Sequence, residues 1–372
     1  MTKRISAGLR GAAQLALFAG ACAGAGAMVG AANYFYEYAL VPKKRDSRID
    51  SDSSQKEYVS GRRWMKNHPM REDVYIRADD GLQLHGNFIP AEKGKQNPGA
   101  GAGSADTSLP GSSKTRRAAQ EAENRRRHQY AVCVHGYGDV SDSMGLYARM
   151  YHDRYGMNVL LPDLRGFGRS DGIYVGMGHD ESHDLLRWID WILERDPDAR
   201  IILHGISMGA ATVLMTTGRC LPEQVAAAVS DSSYTSARDI LMYVYNNLDK
   251  SGDKPAGSGK GAARKRIRRN IVPAPVMVEA VRAAALFRAG YDIAKSSPVD
   301  AVEKSHTPTL FIHGQADTFV PPEMMPVLYQ AAACPKAFLW IPEADHVQAV
   351  NVDPETYWAK VERFLHAQDL AL

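Results

Sequence analysis

Gly205-Ile206-Ser207-Met208-Gly209 joins an apolar run to a helix-like segment, and this junction constrains the architecture of the whole chain. Residues 200–204 are predicted to form a short buried strand, and the small and apolar residues 210–217 are predicted to form a helix. An abrupt turn from strand to helix holds the serine at a strained tip, where bulky neighbours would clash with the backbone. The two flanking glycines avoid that clash. The junction therefore predicts a nucleophile at Ser207.

A nucleophilic serine needs a general base and an acid that orients the base. Asp317 and His346 each stand in a loop directly after an apolar, strand-like run, and they follow the serine in the order acid, then histidine. A neutral imidazole at His346 can accept the Ser207 proton, and a carboxylate at Asp317 can fix the imidazole tautomer. Asp231 also follows a predicted strand, so it remains the alternative acid.

Acyl transfer also needs donors for the oxyanion that develops on the substrate carbonyl. The loop His135-Gly136-Tyr137-Gly138 follows an apolar strand and is rich in glycine, which favours free backbone amides. We predict the N–H groups of Tyr137 and Met208 as the donors, because backbone amides need no reorganisation. His135 and His313 are expected to make structural hydrogen bonds in their loops.

Taken together, these motifs resemble an α/β-hydrolase with a serine nucleophile over residues 71–369. The resemblance rests on the nucleophile turn, the oxyanion loop, the acid and the histidine, at Gly205, Ser207, Gly209, His135, Gly136, Asp317 and His346. It implies an α/β fold in which a mostly parallel sheet is flanked by helices and carries an inserted helical cap. More narrowly, the chain is similar to bacterial hydrolases that carry an amino-terminal membrane anchor.

Shifts in composition predict how the chain is divided. The segment between residues 92 and 128 is rich in Gly, Ser, Ala, Lys and Arg, which is typical of a flexible insertion. Three segments are predicted: a signal-anchor or transmembrane segment at 1–40, a polar connector at 41–70, and an α/β-hydrolase domain at 71–372. The hydrolase domain contains the insertion at 92–128 and a cap at 232–297. The cap in turn contains a basic loop at 250–269.

The amino-terminal segment has the length and flanking charges of a membrane anchor. No charged side chain occurs from Gly11 to Tyr36, and basic residues precede and follow this run. About 20 apolar residues suffice for a helix to cross a bilayer, and an aromatic group before Lys43 is typical of the membrane interface. We expect a membrane-anchored protein with its catalytic domain outside the cytoplasm. Small-residue motifs leave secretion after signal cleavage as the alternative.

The balance of charge is close to neutral and excludes a general argument for nucleic-acid binding. The chain has 45 basic and 42 acidic side chains, for a formal net charge of +3. The basic loop 250–269 is either a solvated loop or a contact for anionic lipid or envelope polymers. No aromatic residues interleave it, which argues against single-stranded nucleic acid. Cysteine spacing predicts neither a disulfide framework nor a metal site, and no cofactor is expected.

The predicted reaction is hydrolysis of a carboxylic ester through an acyl-enzyme at Ser207, on a small-molecule or lipid-like substrate. A serine peptidase or amidase, or an acyltransferase, would use the same residues. A fold alone does not prove activity, so a non-catalytic envelope binding or scaffold protein is the alternative of another class.

Overall fold

The computed structural model describes residues 29–42, 56–92, 127–247 and 272–370. These residues contain one eight-stranded sheet with the strand order β1-β2-β4-β3-β5-β6-β7-β8. The pairs β1–β2 and β2–β4 are antiparallel, and the other pairs are parallel. The strands are β1 (Glu72–Arg77), β2 (Gln83–Ile89), β3 (Gln129–Val134), β4 (Asn158–Pro162), β5 (Arg200–Ile206), β6 (Val225–Asp231), β7 (Thr309–Gly314) and β8 (Lys336–Ile341).

Helices connect most of the parallel strands. The described helices are α1 (residues 29–39), α2 (Lys56–Asn67), α3 (Gly145–Arg149), α4 (His179–Arg195), α5 (Met208–Thr217), α6 (Ala237–Asn247), α7 (Ala274–Ala289), α8 (Pro298–Val302), α9 (Met324–Ala331), α10 (Ala349–Val352) and α11 (Pro354–His366). Short turns of other helical types lie at Ser141–Met144, Met150–Arg154 and Ile293–Lys295. The alternation of strand and helix confirms the predicted α/β-hydrolase fold and its mostly parallel sheet.

The central strands are apolar because helices cover both of their faces. Every residue of β3, β4 and β6 is buried, whereas the edge strand β1 is largely exposed. Strands that are buried on both faces read as continuous apolar runs, which is why they were recognisable in the sequence. The antiparallel hairpin of β1 and β2 turns at Gly81, where φ is +87°.

The parallel strands place their carboxyl ends at one edge of the sheet. Ile206 is paired with Asp231 on the neighbouring strand, and Asp231 is paired with Ile312. The loops that follow β5, β7 and β8 therefore begin at the same edge. Those loops carry Ser207, Asp317 and His346, so the topology brings three distant parts of the sequence together.

The chain divides into two compact units. Among the described residues, the larger comprises 42, 56–92, 127–240 and 295–370, and it contains the whole sheet. The described residues of the smaller are 29–41, 241–247 and 272–294. Within the smaller unit, the ring of Phe35 packs edge-on against Tyr245, with centroids 5.6 Å apart. The guanidinium group of Arg288 stacks over Tyr36 and bonds to Glu37 at 2.6 Å, so α1 and α7 belong to one packed unit.

Several predicted segments lie wholly or mainly outside the described residues. These are residues 1–28 of the predicted anchor, residues 93–126 of the predicted insertion, and the predicted basic loop 250–269. Among the described residues, no helix combines the length and the apolar character that crossing a bilayer requires. The role of residues 232–297 as a cap stays a prediction. Within the predicted polar connector, residues 56–67 form α2, a helix that the sequence analysis did not predict.

Candidate active site

Ser207 lies on a sharp turn between β5 and α5. Its backbone has φ of +53° and ψ of −119°, a strained conformation for a residue with a side chain. A Cβ atom on Gly205 would overlap the carbonyl oxygen of Gly209, and one on Gly209 would overlap the carbonyl oxygen of Val134. The N–H group of Ser207 donates to the carbonyl oxygen of Asp231 at 2.8 Å, which ties the turn to β6. Close packing thus holds the strained serine in place.

Ser207, His346 and Asp317 form a continuous chain of hydrogen bonds. Nε2 of His346 lies 2.9 Å from Oγ of Ser207, and Nδ1 of His346 lies 2.8 Å from Oδ2 of Asp317. With Nδ1–H donating to the carboxylate, Nε2 presents its lone pair to the serine hydroxyl. The arrangement allows His346 to accept the Ser207 proton while Asp317 stabilises the resulting imidazolium.

The carboxylate of Asp317 is buried but receives several donors. Its Oδ1 atom accepts hydrogen bonds from the N–H groups of Phe319 at 2.9 Å and Val320 at 2.8 Å. Nε2 of His313 lies 3.2 Å from its Oδ2 atom. Burial alone would raise the pKa of Asp317, but the hydrogen bonds from His313 and His346 outweigh it and lower the pKa below its usual value of 3.8. Asp317 therefore remains ionised beside the imidazole.

His313 also faces the carboxylate of Asp317, a contact that was not predicted from the sequence. It was expected to make a structural hydrogen bond in its loop, and its Nε2 does lie 3.1 Å from the carbonyl oxygen of Val320. The same nitrogen also faces Asp317, which stands four residues further along the chain. A histidine at the end of a strand, just before a candidate acid, is the signal that could have revealed this contact.

The alternative acid Asp231 has different partners. Its Oδ2 atom accepts from the hydroxyl of Tyr357 at 3.0 Å, and its Oδ1 atom accepts from the hydroxyl of Ser232 at 2.9 Å. Burial raises its pKa to about 6, although these hydrogen bonds and the nearby imidazoles of His313 and His346 act to lower it. Nδ1 of His346 is bonded to Asp317, so the geometry favours Asp317 over Asp231 as the orienting acid.

A buried chain of polar side chains extends from Asp231 into the core. The Tyr357 hydroxyl donates its one hydrogen bond to Asp231. Nε2–H of His204 must therefore donate to the Tyr357 oxygen, 3.1 Å away. Nδ1 of His204 then accepts from the Tyr151 hydroxyl at 2.9 Å. Burial lowers the pKa of His204 to about 3, which keeps the ring neutral. These bonds satisfy polar groups that would otherwise be costly in the core.

The glycine-rich loop that follows β3 packs against the candidate nucleophile. A Cβ atom on Gly136 would come 3.2 Å from Cβ of Ser207, so the backbone of the loop lies close to the serine. His135 is fully buried; its Nδ1–H donates to the Gly136 carbonyl at 2.8 Å, and its Nε2 accepts from the N–H of Leu164 at 3.0 Å. Burial lowers the pKa of His135 and keeps it neutral. Its structural role matches the expectation.

The second predicted donor, Met208, is the first residue of α5. The first N–H groups of a helix have no carbonyl partner within that helix and project outward beyond its amino end. The helix dipole also places partial positive charge there, next to Ser207. The N–H group of Met208 is thus suited to donate a hydrogen bond to the negatively charged carbonyl oxygen of a substrate that is bonded to Ser207. Tyr137 follows Gly136 in the loop, and its ring packs edge-on against Phe167.

Asp345 links the loop of the base to the loop of the acid. Its carboxylate accepts from the N–H of Thr318 at 2.8 Å, from the Thr318 hydroxyl at 3.0 Å, and from the N–H of His346 at 2.8 Å. Thr318 follows Asp317 directly. The Asp345 side chain therefore couples the positions of the two candidate catalytic residues through Thr318 and the backbone of His346.

Comparison with known proteins identifies the family. Residues 126–349, about three fifths of the chain, match the hydrolase family described as serine aminopeptidase, S33. This chain belongs to that family. The match includes Ser207, Asp317 and His346 and the loop at residues 135–138. Membership establishes an α/β-hydrolase but does not specify the bond that this member cleaves.

Relatives within the superfamily are distant. The Bacillus subtilis protein YqkD is 26% identical over 211 residues, which are 56% of this chain and 62% of YqkD. The Escherichia coli protein YfhR is 24% identical over 282 residues, 75% of each chain. Among solved structures, a Pyrococcus furiosus esterase, Pf2001, superimposes with a TM-score of 0.55 at 18% identity, over 88% of this chain and 98% of the esterase. A bacterial membrane phospholipase A has a TM-score of 0.51 at 18% identity, over 84% and 92% of the two chains. These structures share the fold.

One group of side chains in the described residues has metal-ligand chemistry. The candidate ligand atoms of His68, His152 and Asp153 all lie within 4.8 Å of one another. Nδ1 of His152 lies 2.9 Å from Asp153, and its Nε2 lies 3.1 Å from the carbonyl oxygen of Pro90. Both ring nitrogens of His152 thus already face oxygen atoms. The hydrolytic chemistry described above does not use this group.

Proposed function

We propose that this chain is a serine hydrolase that cleaves carboxylic esters through an acyl-enzyme at Ser207. The observation that carries the proposal is the hydrogen-bond chain from Ser207 through His346 to Asp317, with distances of 2.9 and 2.8 Å. Such distances are within the reach that proton transfer between nucleophile and base requires.

In the acylation step, Oγ of Ser207 attacks the ester carbonyl carbon while its proton passes to Nε2 of His346. The negative charge on the carbonyl oxygen is stabilised by the N–H groups of Tyr137 and Met208. When the carbon–oxygen bond breaks, His346 returns the proton to the departing alkoxide, which leaves as the alcohol. The acyl group remains bonded to Ser207.

In the deacylation step, His346 removes a proton from water as the water oxygen attacks the acyl carbon. The tetrahedral intermediate collapses, Oγ of Ser207 regains the proton from His346, and the carboxylic acid leaves. Asp317 stabilises the imidazolium in both steps. Every proton is returned, so the cycle needs only water as a co-reactant.

An ester is the simplest substrate class for this machinery because an alkoxide leaves more readily than an amide nitrogen. Hydrolysis of p-nitrophenyl esters and labelling by a fluorophosphonate test the proposal. The wild type should hydrolyse and label, and Ser207→Ala should do neither. Ser182→Ala, which removes a buried hydroxyl that donates to the carbonyl oxygen of His179, is the matched control and should retain activity. Equal hydrolysis by wild type and Ser207→Ala would refute the assignment.

A second candidate function is cleavage of peptide or amide bonds, which the description of the family favours. The same residues would act, but His346 would need to protonate a poorer leaving group. Aminoacyl p-nitroanilides measure this activity directly. If the wild type has a higher kcat/KM on anilides than on matched esters, and Ser207→Ala abolishes both, the peptidase function replaces the esterase function. Absence of both activities and of labelling would favour the non-catalytic scaffold alternative.

We also propose that the smaller unit lies against a membrane through the amino-terminal segment. Within that unit, Val29 is 68% exposed on α1 and Phe287 is 91% exposed on α7, so apolar side chains face solvent. The basic loop 250–269 would add attraction to anionic lipids. Because α1 packs within the unit, a deletion should remove residues 1–28 and keep the rest. We expect the full chain to co-sediment with membranes and the deletion to be released; equal sedimentation of both would refute the anchor.

A further inference from the structure

Helix α2 is an integral part of the hydrolase core, although its sequence is polar. Tyr58 and Met65 are 1% and 0% exposed, and they belong to the same apolar cluster as Tyr147, Tyr357 and Val361. A helix that buries two large side chains in this cluster has a defined position relative to the sheet.

Two glycines allow α2 to approach α3 very closely. A Cβ atom on Gly61 would overlap the backbone nitrogen of Leu146, and one on Gly145 would overlap the carbonyl oxygen of Gly61. The backbones of the two helices are therefore in direct contact at this point. No side chain separates them, so the register of α2 along α3 is fixed by backbone packing.

This register places the Tyr58 hydroxyl beside the residue that follows the candidate base. The hydroxyl donates to the carbonyl oxygen of Val347 at 2.9 Å, across 289 positions of sequence. It therefore accepts the hydrogen bond from the Tyr147 hydroxyl, 3.1 Å away. Burial raises the pKa of Tyr58, which keeps the hydroxyl protonated and able to donate.

The backbone at Val347 needs such support. Its φ is +57°, in the left-handed region, which is unfavourable for a β-branched side chain. Val347 follows His346 directly, so its backbone conformation constrains the loop that carries the imidazole. A conformation that is costly by itself persists only where its surroundings hold it, and Tyr58 supplies a buried hydrogen bond for this purpose.

We propose that Tyr58 is a positioning residue for the serine-hydrolase reaction: docked by the Gly61–Gly145 contact, it holds Val347 and thereby the imidazole of His346. The inference rests on the proposed function. In this arrangement a helix that precedes the first strand of the sheet forms part of the support of the active site, and it acts through the backbone of the base loop.

Tyr58→Phe in the full-length protein tests the inference, because it removes only the hydroxyl. We expect kcat on a p-nitrophenyl ester to fall about tenfold, as expected when one buried hydrogen bond is lost, with KM changed less than twofold. The matched control is Tyr234→Phe: the Tyr234 hydroxyl is also buried and also donates at 2.9 Å to the carbonyl of a residue with positive φ, Met177. This control should lose similar stability but keep its kcat.

A spectroscopic readout separates positioning from general destabilisation. The Nδ1–H proton of His346, which lies in the hydrogen bond to Asp317, should give a low-field proton NMR signal that His346→Ala removes. We expect this signal to broaden in Tyr58→Phe and to be unchanged in Tyr234→Phe. Gly61→Ala, which displaces α2 without touching Tyr58, should reproduce the loss of kcat and the broadening if the protein folds.

The outcomes distinguish this inference from the proposed function. If Ser207→Ala is inactive but Tyr58→Phe retains full kcat and an unchanged signal, the positioning role is wrong and the hydrolase function stands. If the wild type neither hydrolyses esters or amides nor labels at Ser207, both proposals are wrong. An equal loss of kcat in Tyr58→Phe and Tyr234→Phe would also overturn the positioning role.

Discussion

Nε2 of His313 lies 3.2 Å from Oδ2 of Asp317, the same oxygen that faces Nδ1 of His346 at 2.8 Å. One carboxylate oxygen therefore faces two imidazole nitrogens, with the N–H group of His313 shared with the Val320 carbonyl oxygen at 3.1 Å, while the other oxygen receives two backbone N–H groups. With all these donors in place, the carboxylate cannot rotate without breaking several bonds. Its orientation determines the orientation of the candidate base.

His313→Phe should lower kcat about tenfold, because it removes one hydrogen bond to a charged group, worth about 1.5 kcal/mol. Phenylalanine keeps an aromatic ring in the place of the imidazole beside Trp340, so KM should be unaffected. Ester hydrolysis kinetics measure the effect. The control is His128→Phe, which removes an exposed histidine bonded to Asp196 at 2.8 Å and should leave kcat unchanged. A full kcat in His313→Phe would mean that the other donors suffice to orient Asp317.

The two buried acids should differ sharply in their effect on activity. Asp317→Asn should lower kcat by a factor on the order of 10⁴, because an amide cannot fix the correct imidazole tautomer. Asp231→Asn should change kcat less than about tenfold, because its partners are hydroxyl groups that can reorient. The fluorophosphonate labelling rate of each variant gives the comparison. A larger loss for Asp231→Asn would transfer the role of the acid to Asp231.

Asp231 should also make the stability of the protein depend on pH. Burial raises its pKa from 3.8 to about 6, so between these values the native protein holds a proton that the unfolded chain has lost. The free energy of unfolding therefore falls as pH rises through this interval, by about 3 kcal/mol in total. Asp317 has the opposite sign, since its lowered pKa gives stability above about pH 4 that is lost only at lower pH.

Urea denaturation at several pH values measures this dependence. Glu181, whose pKa is raised to about 7 by burial, titrates in an overlapping range, so the informative quantity is the difference between wild type and Asp231→Asn. That difference should favour the variant increasingly as pH rises from about 4 to about 6 and remain constant above. A difference that does not change with pH would show that Asp231 is ionised in the native protein throughout.

The features that were predictable from the sequence are those that arise locally. The turn at Ser207 was recognisable because its strain requires glycine on both sides within a few residues, and the central strands because burial on both faces makes them continuously apolar. Asp317 and His346 were recognisable because parallel strands deliver their following loops to one edge of the sheet.

The features that were not predicted depend on contacts across long stretches of the chain. Tyr58 contacts Val347 only because the backbones at Gly61 and Gly145 touch, and no local pattern reports that contact. A weaker signal was present: the buried residues Tyr58, Gly61, Arg62 and Met65 have the spacing of one helix face. The role of Asp345 was missed because its partner Thr318 lies 27 residues away.

Asp345→Ala should lower kcat about tenfold by uncoupling the loop of Asp317 from the loop of His346. Neither candidate catalytic side chain is altered, so the loss would come from misalignment. Asp353→Ala is the matched control: this aspartate caps α11 by accepting from the N–H of Thr356 at 3.0 Å. The control should lose some stability, because a helix cap is removed, with unchanged kcat. Equal kcat values for the two variants, measured on the same ester, would contradict the coupling.

Gly209→Ala should destabilise the protein by about 3 kcal/mol, because the added methyl group would overlap the backbone carbonyl oxygens of Val134 and His135. The strand β3 and the turn at Ser207 would have to separate, so activity should be lost together with stability. Gly81→Asn is the comparison, since Gly81 has positive φ but no atom near its missing side chain, and asparagine tolerates that conformation. It should cost about 1 kcal/mol or less. Urea denaturation of both variants measures the loss in the free energy of unfolding. Equal losses for Gly209→Ala and Gly81→Asn would refute the inference that close packing requires glycine at position 209.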